Sequence, residues 1–153
     1  MSLYIVLKYI HILSAIAAFG ANITYALWLT RAEKNPESLA FALRTVKLMD
    51  DWIANPAYIL LFPTGWLMAS IANWPLTTPW ILTALILYGV LSVVGLAMYS
   101  PTLKKQIALA ESVGPASPEY KKVSFRSNAI GMVLNILVLI VIYLMVAKPV
   151  LWS

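Results

Sequence analysis

The sequence predicts an all-α fold, a four-transmembrane-helix antiparallel up-down bundle, on three observations. Of its 153 residues, 61% are hydrophobic and 11% charged, and mean hydropathy is +0.82. Soluble domains carry roughly 45–50% apolar and about 25% charged residues. So few charges cannot cover a water-facing surface, which makes the bilayer the main solvent. Four mostly apolar runs approach the roughly 20 residues needed to cross about 30 Å of hydrocarbon. Finally, the basic residues crowd into two of the three connections and are missing from the third.

The first span covers about residues 3–29, interrupted by Lys8, His11, Asn22 and Thr24, and ends at Arg31-Ala-Glu-Lys-Asn-Pro36. Its apolar stretch runs past the small residues Ala18 and Gly20, so it reads as a retained span rather than a cleaved leader. The connection 30–51 contains a second helix start, Asn35-Pro36-Glu37, with Leu39, Ala42, Leu43, Val46 and Met49 following at helical spacing. Such an amphipathic segment is expected to lie at the lipid headgroups or to extend the next span. The second span covers about 52–72; Pro63 removes the donor to the Ile59 carbonyl and predicts a kink. Asn73-Trp-Pro-Leu-Thr-Thr-Pro79 suits a tight turn into the third span, about 80–99. The connection 100–123 is polar and breaks at Gly114-Pro115. Ser117-Pro118-Glu119 then reads as N-cap, first-turn proline and dipole-compatible acid for the fourth helix, embedded over about 124–147. Residues 1–153 thus read as a single integral-membrane domain, without repeats of 20–50 residues.

Arg31, Lys34, Arg44 and Lys47 lie in the first connection, and Lys104, Lys105, Lys121 and Lys122 in the third, with Arg126 just inside the fourth helix. The positive-inside rule places these connections in the cytoplasm of a bacterium and both termini outside its inner membrane. Trp74, Trp80 and Trp152 then form an outer aromatic belt, and Trp28 and Trp52 an inner one. The net charge of +5 is read as topology and contact with anionic headgroups, not as binding to nucleic acid.

The absence of cysteine removes disulfides, thiolate nucleophiles and Cys-ligated metals. There is no phosphate-binding glycine loop, GxGxxG, HExxH or GxSxG pattern. Asp50 and Asp51, the one adjacent carboxylate pair, are expected to cap the second span, with an ion pair to Arg126 or proton uptake as alternatives. Polar groups within the spans are the better pointers, because an ionisable side chain at the midplane costs at least about 2.5–3.5 kcal/mol. Tyr4, Lys8, His11, Ala15, Ala18, Asn22 and Tyr25 form one stripe, which is expected to face inward. Trp52, Asn55, Phe62, Trp66 and Asn73 form another. Tyr88, Ser92, Gly95 and Tyr99 share a face of span three; Ser124, Asn128, Gly131 and Asn135 share one of span four. Their small and amide residues suit close helix approach and interhelical hydrogen bonds.

His11 lies about 12 Å inside the outer edge, level with Thr64 and Tyr88. One expectation is a neutral imidazole satisfied by either residue. The other is a metal-ligating imidazole, chiefly toward haem b iron, with Tyr88, Asn22 and Asn135 around it and a homodimer able to supply a second His11. Two further classes are a non-catalytic membrane subunit or scaffold and a small transporter.

Lys8-Tyr-Ile-His11 with Gly20 nine residues later, together with Asn55-Pro56 and Pro63-Thr-Gly65 in span two, resembles a family of small bacterial four-helix proteins described only as predicted integral membrane proteins. The pattern is also similar to the integral-membrane, haem-dependent protoporphyrinogen IX oxidases and, more distantly, to copper-resistance D membrane domains. The oxidase resemblance implies a haem-ligand role for His11. That family also has a functional lysine in its third span, where Trp80–Tyr99 has none.

Overall fold

The computed structural model describes residues 2–152, and the regular structure of those residues is entirely helical. The helices are α1 (Leu3–Ala32), α2 (Pro36–Met49), α3 (Asn55–Ile71), α4 (Pro79–Val94), α5 (Ser100–Ser112) and α6 (Pro118–Ala147). A π-helical turn, Asp50–Ala54, joins α2 to α3 without a break, and a second, Gly95–Tyr99, joins α4 to α5. The chain therefore forms four rods. Three of them contain helices long and apolar enough to cross a membrane: Leu3–Ala32, Pro79–Ser112 and Pro118–Ala147. In the second rod α3 has 17 residues, at the short end of the roughly 17–25 that span a bilayer.

Each π-helical turn precedes a proline at the same spacing. Asp50–Ala54 is followed by Asn55-Pro56, and Gly95–Tyr99 by Ser100-Pro101. A proline inside a helix removes one N–H and pushes its ring at the carbonyl four residues back. Widening the preceding turn relieves that clash and lets the helix continue: the Asn55 N–H donates to the Asp50 carbonyl and the Ser100 N–H to the Gly95 carbonyl. The helix of the third span therefore does not break at Pro101; its rod runs on to Ser112. Pro63 also lies within an unbroken helix.

The rods pair as α1 with α3 and α4 with α6 in their apolar halves. The two pairs meet at the end away from the chain termini, where α2 packs on α1 and α5, and α5 on α6. There the apolar face of α2, Leu39, Ala42, Leu43 and Val46, is buried against Leu103, Tyr99 and Tyr120. The amphipathic segment thus extends the second span and spends its apolar face on protein, since Leu43 and Val46 are 0% exposed. Fully burying a side chain of this size is worth about 1.5–3 kcal/mol. Away from this core, Ile16, Ile23, Ile86, Val93 and Met132 are exposed, as lipid-facing side chains are.

Arg31 ends α1 in its last turn, favourable for the helix dipole. Gly114 turns the chain between α5 and α6 at φ 81°, a left-handed conformation that favours glycine. Ser117 caps α6 as the sequence predicts, accepting from the Tyr120 N–H at 3.2 Å. At the opposite end Trp74 and Trp80 pack edge to face, with centroids 5.4 Å apart. The Lys148 Nζ stands 5.4 Å from both rings.

Two sequence expectations change here. Of the α1 stripe, Ala18 and Tyr25 are buried, but Lys8 is exposed. In the second rod Trp52, Phe62 and Trp66 are exposed, and the buried positions of α3 are Ala57 and Thr64.

Candidate functional site

The α3 and α4 backbones, though consecutive spans, come no closer than 8 Å at Cα. Tyr88 bridges the gap: its ring stacks on Phe62 at 5.9 Å between centroids, and its hydroxyl donates to the Tyr58 carbonyl at 3.0 Å. On the side of this bridge toward the α2–α5 core lies a cavity of about 660 Å³, walled by α1, α3, α4 and α6 and by both π-helical turns.

The stripes read from the sequence supply much of its wall. Tyr88, Ser92, Gly95 and Tyr99 line it from the third rod, and Asn128, Gly131 and Asn135 from the fourth. These residues were expected to bring helices close together. They do so in part: α4 and α6 pack on one another, and a Cβ added at Gly131 would touch the Tyr99 ring at 3.5 Å, while one at Gly95 would meet nothing within 4 Å.

Asn22, Tyr88 and Asn135, singled out from the sequence, all line this cavity, but His11 does not. The Asn22 Nδ2 donates to the Tyr58 hydroxyl at 2.7 Å, and the Asn135 Nδ2 to the Gly131 carbonyl at 3.0 Å. His11 sits in the α1–α3 contact, its Nδ1 2.8 Å from the Thr64 Oγ1. A Cβ at Gly65 would stand 3.1 Å from the His11 Cε1, so the glycine makes room for the ring. The Thr64 hydroxyl spends its one proton on the Leu60 carbonyl, 2.6 Å away. With that proton donated to the carbonyl, the Thr64 oxygen is left to accept from a His11 Nδ1–H, the tautomer in which Nε2 carries no proton. Of the two residues expected to satisfy the imidazole, Thr64 and Tyr88, it is Thr64 that does so.

Four buried side-chain polar atoms have no hydrogen-bond partner among the described residues. Three, the Tyr25 hydroxyl, Ser127 Oγ and Asn135 Oδ1, belong to cavity-lining residues; the fourth, Gln106 Oε1, belongs to the core. A buried polar group left unmatched costs about 1–3 kcal/mol. Three such residues around one space are therefore more informative than any one of them.

Asp50, also in the wall, is 8% exposed. It does not cap a helix start, because the helix runs through it. Its carboxylate meets the Asn55 Nδ2 at 3.4 Å. The expected ion pair with Arg126 is not made: Arg126 is exposed, and Lys47 pairs with Asp51. Burial raises the Asp50 carboxyl above its ordinary value of 3.8, against the opposing pull of Lys47. Sequence reasoning also passed over Ser127 and the two widened turns, whose signal was the Asn-Pro and Ser-Pro pairs. Among the described residues no group of three or more His, Asp or Glu side chains converges as a metal site.

Fold and cavity together define a polytopic helical membrane protein with a chamber of mixed apolar and polar lining between two helix pairs. The chain belongs to the family described as predicted integral membrane protein (DUF2269), whose model matches residues 5–149. No curated protein and no solved structure matches it.

The raised Asp50 value has a consequence for stability. The folded protein holds this proton more tightly than the unfolded chain, so the group's contribution is full below the ordinary carboxylate range and lost as pH rises through the raised value. Asp50→Asn is therefore expected to raise the melting temperature at neutral pH, with the gain vanishing toward about pH 4. Thermal unfolding of both forms in detergent across that range checks it; a lower melting temperature at neutral pH would show that the charge is compensated.

Proposed function

We propose that the protein is a membrane-embedded binding protein that takes a small amphipathic molecule into the chamber between its helix pairs. The observation that carries this reading is one space of about 660 Å³ lined by hydroxyl and amide side chains from all four rods, Tyr25, Asn55, Tyr88 and Asn135 among them. The volume falls within the roughly 300–1,000 Å³ of ligand pockets. Leu29, Leu91 and Leu134 supply apolar wall beside the hydroxyls and amides. Native mass spectrometry of wild type and Ser92→Trp, a variant that fills the chamber, tests the reading. A small molecule carried by the wild type and lost from the variant is expected. An empty wild type, with a filled variant that is simply more stable, would make the chamber a packing defect.

A second reading concerns His11 and is favoured by its tautomer. A ring whose Nδ1–H is anchored on a hydroxyl presents Nε2 as a ligand, the arrangement that orients imidazoles toward metals. The donor chemistry fits one axial ligand to haem b iron, and haem held there would supply electron transfer. His11 does not line the chamber, so haem would occupy a different place. Oxidised and dithionite-reduced visible spectra of wild type and His11→Ala, both expressed with ample haem, decide it. A Soret band abolished in His11→Ala supports ligation, whereas no band after haem addition leaves His11 as an interhelical hydrogen bond.

For orientation, we read the core end as cytoplasmic and the membrane as a bacterial inner membrane, with the exposed Lys104, Lys105, Lys121 and Lys122 against anionic headgroups. The absence of cysteine gives single-cysteine labelling no background. Ser112→Cys is expected to react with an impermeant maleimide only after the cells are opened; labelling in intact cells would invert the topology.

A further inference from the structure

We infer that the chamber selects an organic cation, a substituted ammonium or phosphonium with an apolar body, whose charge sits between the Asp50 carboxylate and the surrounding tyrosine rings. This rests on the chamber being a binding site and adds the charge of what it binds.

The first observation is a charge imbalance. Two carboxylates, Asp50 and Glu33, stand in the wall, which contains no Lys, Arg or His. The cations nearest in sequence to Asp50 are engaged elsewhere: Lys47 pairs with Asp51, and Arg44 with Glu111 at 2.6 Å. Glu33 has a hydroxyl as its partner, accepting from the Ser124 Oγ at 3.3 Å. Asp50 itself is buried, with one long hydrogen bond from Asn55. A buried carboxylate whose nearest cation, Lys47, is paired with its neighbour Asp51 remains costly, and a cationic ligand offsets that cost where an anion would add to it.

The second observation is the aromatic lining. Tyr25, Tyr58, Tyr88 and Tyr99, one or more from each of three rods, face the same space. Asp50 lies within electrostatic reach of the hydroxyls of Tyr25, Tyr58 and Tyr99. Aromatic faces attract cations, and most strongly those that shed water readily, as alkylated ammonium groups do. A carboxylate and four tyrosine side chains in an apolar-backed space form a site for a lipophilic cation.

The test uses two probe ions of nearly equal size and shape but opposite charge, tetraphenylphosphonium and tetraphenylborate. Binding of each to purified full-length protein is measured at equilibrium, with Ser92→Trp giving the background from detergent. Wild type is expected to bind the phosphonium and not the borate. Asp50→Asn is expected to weaken phosphonium binding by about tenfold or more, while Asp50→Glu retains it. Equal binding of both ions, unchanged in Asp50→Asn, would overturn the cation inference and leave a charge-blind chamber. Binding of neither above background would also overturn it, and the chamber reading would then be decided separately by the molecule that native mass spectrometry finds or fails to find.

Discussion

In hydrocarbon a helix has to satisfy its own backbone, because no water is present to hydrogen-bond a stray N–H or C=O. Three prolines within the long rods put that requirement under stress, Pro56, Pro63 and Pro101. At Pro56 and Pro101 the chain meets it by widening the turn just before the proline, and the helix then continues. Both widened turns contribute wall residues to the chamber between the helix pairs. The constraint that keeps the rods intact also shapes the space between them.

The pairing of the rods follows from where each can bury apolar surface. The extensions α2 and α5 carry the best-buried side chains, Leu39, Leu43, Val46 and Leu103, and they clamp the two helix pairs together at one end. Along the spans, lipid is as apolar as any neighbouring helix, so close packing depends on side-chain fit and hydrogen bonds. The α1–α3 pair has both, with His11 on Thr64 and Gly65 making room for the ring. The α3–α4 gap has neither close backbones nor small side chains meeting, and Tyr88 reaches across it instead. A clamped end and a bridged gap leave a chamber between them, and the hydroxyls, amides and carboxylates set in its mostly apolar wall are what separate it from a simple packing void.

Much of the architecture was legible because lipid imposes a strong pattern on sequence. The span positions, the turn at Asn73–Pro79, the cap at Ser117 and the buried face of α2 all follow from apolar run length, helical period and punctuation residues. Asn22, Tyr88 and Asn135 stood out for a sound reason, the cost of polar groups in hydrocarbon, and the structure gathers all three around one space. Their grouping with His11 did not follow, because a helical projection gives the direction of a side chain and not the distance between helices. The same blindness made Gly95 look like a close-approach position. Asp50 looked like a cap because it sits where the apolar run of the second span begins.

By itself the sequence determined the solvent, the helical class, the approximate spans and the set of polar side chains that lipid would make costly. Each is a one-dimensional property, set by composition or by spacing along a single helix. Only the tertiary structure decided which polar groups meet. It gave His11 to Thr64, opened a chamber beside the small-residue stripes and placed Asp50 among tyrosines. Those outcomes depend on how far apart the rods stand, and that spacing is set jointly by turns, bridges and a core contributed by residues far apart in the chain.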